Sequence, residues 1–98
     1  MGWADQHITT LIEQGRVSFR PRGDSMMPRI RSGQLCTIER TEQFKIGDVV
    51  LCKVNGHQYL HLIRSIHQGL AQIANNHGKI NGWTQLKNIY GKLVKVED

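Results

Sequence analysis

The stretch Gly23-Asp24-Ser25-Met26-Met27-Pro28 sets a serine directly between a small polar turn and two large apolar residues. A serine hydroxyl is a weak nucleophile until a neighbouring base draws off its proton. A glycine two positions earlier lets the backbone come close to a bound carbonyl, and the amides that follow can donate to an oxyanion. Met26 and Met27 supply pliable apolar surface suited to a substrate groove, and Pro28 fixes the direction of the chain leaving it. Taken by itself the segment reads first as a turn or a capping serine.

The elements that must hold this segment follow from periodicity. Trp3, Ile8, Leu11 and Ile12 recur at near-helical spacing and Gly15 follows as a stop, which predicts a short amphipathic helix over residues 1–15 lying as a lid on the core. After Gly15 the pattern becomes that of strands. Val17 with Phe19, Leu35 to Glu39, Val49 to Val54, Tyr59 to Ile66, Leu70 to Ala74 and Ile89 to Val96 form about six short runs rich in β-branched and aromatic residues. Turn-prone segments separate them: Arg22-Gly23-Asp24, Ser32-Gly33, Gly47-Asp48, Asn55-Gly56, Gln68-Gly69 and the long stretch Asn75 to Gly82. Asn55-Gly56 is the sharpest hairpin signal, since both residues accept the positive φ angles of a type I′ turn. Residues 16–98 are therefore expected to form one mostly β domain.

Composition bounds the rest. A chain of 98 residues holds one modest core, and 39% hydrophobic with 21% charged residues is ordinary for a globular protein. Its longest apolar stretches are a few residues, whereas a membrane helix needs about 20, so no membrane span is expected. Met1 to Gln14 lacks the basic start and apolar centre of a secretory signal, which makes the cytoplasm the expected location. Cys36 and Cys52 lie in strand-like runs without ligand spacing and read as small buried hydrophobes. His57, His61 and His67 gather near one hairpin, yet no carboxylate or cysteine completes a compact ligand set, so neither metal nor cofactor is expected. The formal charge of +5 is spread along the chain, which predicts weak, salt-dependent nucleic-acid binding or none.

Several boxes together carry a family resemblance. Ser25-Met26-Met27-Pro28, preceded by Gly23 and followed by Ser32-Gly33-Gln34, resembles the nucleophile box of the signal-peptidase and LexA-type superfamily. Ile46-Gly47-Asp48-Val49-Val50 is similar to that family's Gly-Asp followed by a long strand. Tyr59-Leu60-His61-Leu62-Ile63-Arg64 falls where the family carries its general base, and Asn75-Asn76-His77-Gly78 with Ile89 to Val94 resembles the later loop and closing strand. The resemblance spans about Val17 to Val96. It implies a LexA/signal-peptidase-like coiled β-barrel and a serine endopeptidase acting on a protein or peptide through an acyl-enzyme on Ser25.

The departures shape the reading. Most members use a lysine base, but no lysine lies between Asn55 and Gln72, and the base position falls on His61, as in endoplasmic-reticulum-type signal peptidases. Imidazole, with a reference pKa of about 6.5, is neutral at pH 7 without the desolvation a lysine needs. Those enzymes add an aspartate in the later loop. This chain has Asn75 and Asn76 there, either of which can orient an imidazole through its side-chain carbonyl. Gly23, Met26, Met27 and Pro28 are expected around the oxyanion and groove. With so few residues before Gly15, and no Ala-Gly or Cys-Gly bond upstream of Ser25, neither the DNA-binding segment and self-cleavage of LexA-type repressors nor the anchor of signal peptidases is expected. The competing expectation is a catalytically inactive binding module of the same fold, phage- or mobile-element-associated, that holds a protein or nucleic acid.

Overall fold

The computed structural model describes residues 2–98 and places seven strands in one antiparallel sheet behind a single N-terminal helix. The helix, α1 (Asp5–Gln14), buries Ile8 and Leu11 and leaves Ile12 at the surface. It ends where Gly15 turns left-handed, φ 79°, and gives its N–H to the Leu11 carbonyl at 2.7 Å. The strands are β1 (Arg16–Phe19), β2 (Leu35–Glu39), β3 (Val49–Val54), β4 (His57–His67), β5 (Leu70–Ala74), β6 (Ile80–Gln85) and β7 (Ile89–Glu97), ordered β1-β2-β7-β3-β4-β5-β6. The mostly β class and the short helix expected from the sequence are both present. The sequence pattern gives six strands, and the seventh, β6, begins inside the stretch Asn75 to Gly82 read as a turn and runs on to Gln85.

Two-residue hairpins fix the register of the central strands. Asn55 and Gly56, at φ 49° and 84°, join β3 to β4, and Gln68 and Gly69, at 50° and 77°, join β4 to β5. At the start of β3, Gly47 and Asp48 hook onto β4: the Gly47 N–H donates to the Ile63 carbonyl (2.8 Å) and the Ile63 N–H to the Asp48 carbonyl (2.9 Å). The Gly-Asp pair read as a family box thus holds β4 in place.

β3 is buried on both faces because the sheet coils. Val49 and Leu51 join Leu11, Val17, Phe19, Met26, Ile30 and Leu60 in one cluster beneath α1, while Val50, Cys52 and Val54 join Ile63, Ala71, Ile73 and Ile89 in another. The coil is drawn shut where the Thr84 hydroxyl of β6 donates to the Lys53 carbonyl of β3 at 2.7 Å. Cys36 and Cys52 are free thiols in the two clusters, and burial pushes the Cys52 thiol up to about 12.

Gly91 of β7 is packed tightly between β2 and α1. A Cβ there would sit 2.5 Å from the Glu39 carbonyl oxygen and 3.0 Å from Leu11 Cδ2. Backbone on one side and the helix on the other leave nothing free to yield. Gly91→Ala is expected to cost about 2 kcal/mol, read as a lower urea midpoint with an unchanged m-value; an unaltered midpoint would show that α1 can lift away.

Candidate active site

Ser25 stands on an exposed loop that three sets of hydrogen bonds hold in shape. At its base, the Gly33 N–H donates to the Pro21 carbonyl (2.8 Å) and the Gly23 N–H to Ser32 Oγ (3.1 Å), so Ser32-Gly33 staples the incoming chain. From the far side, the Asn76 N–H donates to the Ser25 carbonyl (2.9 Å), Asn76 Nδ2 to the Met27 carbonyl (3.0 Å) and His77 Nε2 to the Asp24 carbonyl (2.9 Å). Within the loop the Met27 N–H returns to the Asp24 carbonyl at 3.1 Å. Met26 and Ile30 anchor it from below, each 4% exposed in the cluster under α1. A side chain on a loop tied at so many backbone points has one direction to face.

His61 comes to meet it from β4. The residue is 8% exposed, and its Nε2 lies 3.0 Å from Ser25 Oγ. Nδ1 lies 2.7 Å from Asn81 Oδ1. An amide oxygen only accepts, so Nδ1 carries the hydrogen, and the lone pair of Nε2 is left to accept from the serine hydroxyl. Tyr59 stacks on the imidazole with ring centroids 4.9 Å apart. Burial lowers the pKa of His61 below the ordinary 6.5, opposed by the Asn81 hydrogen bond, so the neutral ring prevails at pH 7.

The position of Asn81 depends on an irregularity. In the β5–β6 ladder Ala74 opposes Ile80 and Ile73 opposes Gly82, which leaves Asn81 as an extra residue in a bulge. Bulges re-aim side chains, and here the freed side chain reaches His61. Gly82 makes the bulge feasible: at φ 138°, a Cβ on it would press on Asn55 Nδ2 at 3.1 Å and Val54 Cγ1 at 3.2 Å. Asn75 and Asn76, expected beside the imidazole, are engaged elsewhere. Asn75 Oδ1 accepts the N–H groups of His77 and Lys79, both at 2.9 Å, closing its own loop, and Asn76 clamps the Ser25 segment.

A groove of about 550 Å³ opens at the pair, lined by Trp3, His7 and Phe19 and by Gln58 to His61. Gly23 and Met26 line it as expected; Met27 and Pro28 lie off it, on the stem turned toward Asn76. Neither the Ser25 nor the Met26 N–H finds a protein acceptor among the described residues, which leaves both open to a developing oxyanion. Beyond the type I′ turn, alternation of the ladder points the N–H and C=O of Gln58 and Leu60 away from β3. β5 begins its pairing only at Leu62, so the Gln58 N–H and the N–H and C=O of Leu60 form a free strand edge along the groove. The Gln58 carbonyl takes the Trp3 indole N–H at 3.0 Å. His57 and His67 are exposed at opposite ends of β4.

Among comparisons with known proteins, the family model described as Peptidase S24-like matches residues 7–85, from within α1 to the end of β6. No curated protein matches the chain. No helix among the described residues is long and apolar enough to cross a membrane.

Proposed function

We propose that this chain, which belongs to the Peptidase S24-like family, is a serine endopeptidase in which His61 takes the place of the usual lysine base. The observation that carries the reading is the continuous line Ser25 Oγ, His61 Nε2, His61 Nδ1, Asn81 Oδ1, with links of 3.0 and 2.7 Å. A peptide laid in extended form on the free Leu60 edge brings a carbonyl to Ser25. Ser25 Oγ bonds to that carbon while its proton passes to Nε2, and the imidazolium so formed is held by Asn81 Oδ1. The oxyanion is met by the Ser25 N–H. Nε2 then returns the proton to the leaving amine and the C–N bond breaks, giving the acyl-enzyme. Water, deprotonated by the same nitrogen, releases the acid and restores the hydroxyl.

The pH dependence tests the identity of the base. A histidine base must be neutral, so kcat/KM for a cleaved peptide, or the rate of Ser25 acylation by a fluorophosphonate, should fall with acid along a limb set by the free-enzyme pKa. Burial puts that limb below 6.5. A lysine base would put it well into the alkaline range unless strongly desolvated. An alkaline limb would therefore remove His61 from the role, and Ser25 that no probe labels at any pH would favour the non-catalytic binding module. Linkage runs the same way. The unfolded imidazole takes its proton near 6.5 and the folded one only at lower pH, so the stability held above 6.5 is lost as pH falls through the folded value.

A further inference from the structure

We propose that Arg20 and Arg22 make the groove beside Ser25 selective for peptides that carry an aspartate or glutamate close to the cleaved bond, an inference that rests on the peptidase reading of the same groove. The side chains lining the groove that are charged at pH 7 are these two arginines, burial keeping His7 and His61 neutral there, and no carboxylate lines it. They stand together: Arg20 Nη1 donates to the Gly33 carbonyl at 2.9 Å, and Arg22 Nη1 lies 3.7 Å from the point where a Cβ on Gly33 would be. The ion pairs among the described residues are Arg16 with Glu39 and Lys95 with Glu97, so neither guanidinium is matched by a carboxylate of the chain.

Two like charges leaning on one glycine, without a counter-ion, repel each other until an anion enters. The segment between them is already fixed by the bonds from Gly33 to Pro21 and from Gly23 to Ser32, so little ordering remains to oppose binding. Each guanidinium keeps donors for a carboxylate fork. Both side chains are exposed, so their attraction for a carboxylate is open to screening by salt. A peptide rather than a nucleic acid fits this anion site, because the groove also presents the unpaired N–H and C=O of Leu60, which only an extended amide backbone complements.

The test uses the Ser25→Ala protein, which binds without turnover, and two acetylated and amidated peptide pools identical except for Glu in place of Gln. Fluorescence anisotropy at low ionic strength should give the Glu pool about tenfold tighter binding, a preference that weakens as salt rises. Arg20→Gln with Arg22→Gln should erase it, with the thermal midpoint confirming the fold, and Arg22→Glu should turn the preference toward a Lys pool. Equal binding of the Glu and Gln pools overturns the proposal. So does displacement of the Glu pool by a single-stranded oligonucleotide at lower concentration, which would assign the groove to phosphates. Fluorophosphonate labelling of Ser25 in the wild-type protein is read separately: its absence counts against the peptidase chemistry, while the pool comparison still decides the acidic preference.

Discussion

Replacing His61 by alanine should lower kcat/KM by about 10⁴-fold, and replacing Ser25 should do the same, while the double variant should lose no more than either single one. Non-additivity is the decisive part of this result. Two residues that act through one shared proton, across the 3.0 Å between Oγ and Nε2, fail together once either is gone. Losses that multiplied would mean that Ser25 and His61 act in separate steps. Thermal unfolding of each variant guards against a trivial cause, and the exposed Ser25 hydroxyl makes Ser25→Ala the gentler of the two. His61→Gln, which keeps most of the volume of the buried ring, separates lost basicity from a cavity.

Asn81 should show the second largest effect, and in a manner a structural residue would not. Asn81→Leu removes the acceptor at 2.7 Å that fixes the tautomer and supports the imidazolium, so kcat should fall by about 10²-fold or more with KM little changed. Because that hydrogen bond raises the His61 pKa against burial, its loss should move the acidic limb to still lower pH. Asn81→Asp should move the limb the other way, since a carboxylate favours the charged ring more than an amide does. A decline in rate with no movement of the limb in either variant would make Asn81 a packing residue only.

The residues that meet at this site differ in how far the sequence announces them. Ser25 stands in a loop of unusual composition, and His61 becomes visible only through the family order of boxes, because a histidine in a strand has no local signature of chemistry. Asn81 was not legible at all. Asn81-Gly82 carries the same residue types as the true hairpin turn Asn55-Gly56, and turn chemistry outweighs strand propensity when both are read locally. What overrides it is tertiary: β6 pairs with β5 through a bulge and is tied across to Lys53 by Thr84. Local signals therefore point to Asn75 and Asn76 as orienting asparagines, whereas their side chains close one loop and clamp another. The groove was half legible. Met26 and Gly23 line it, whereas Trp3 and His7 come from α1 and the residues before it and Phe19 from β1, elements that carry no signal of a groove in the sequence.

The bulge at Asn81 has a consequence for kinship among chains of this kind. The ladder on either side of it is in register without residue 81, since Ile80 already faces Ala74 and Gly82 already faces Ile73. The partner of the imidazole thus stands on the one residue that the bulge adds to β6, outside the paired positions of the ladder. A relative one residue shorter between the Asn75 turn and Gly82 would retain the sheet and its hydrogen bonds yet have no column in which an equivalent of Asn81 could stand. Gaps in an alignment, ordinarily the least informative places to compare, would in this segment separate lineages that steady a histidine from those that never required it.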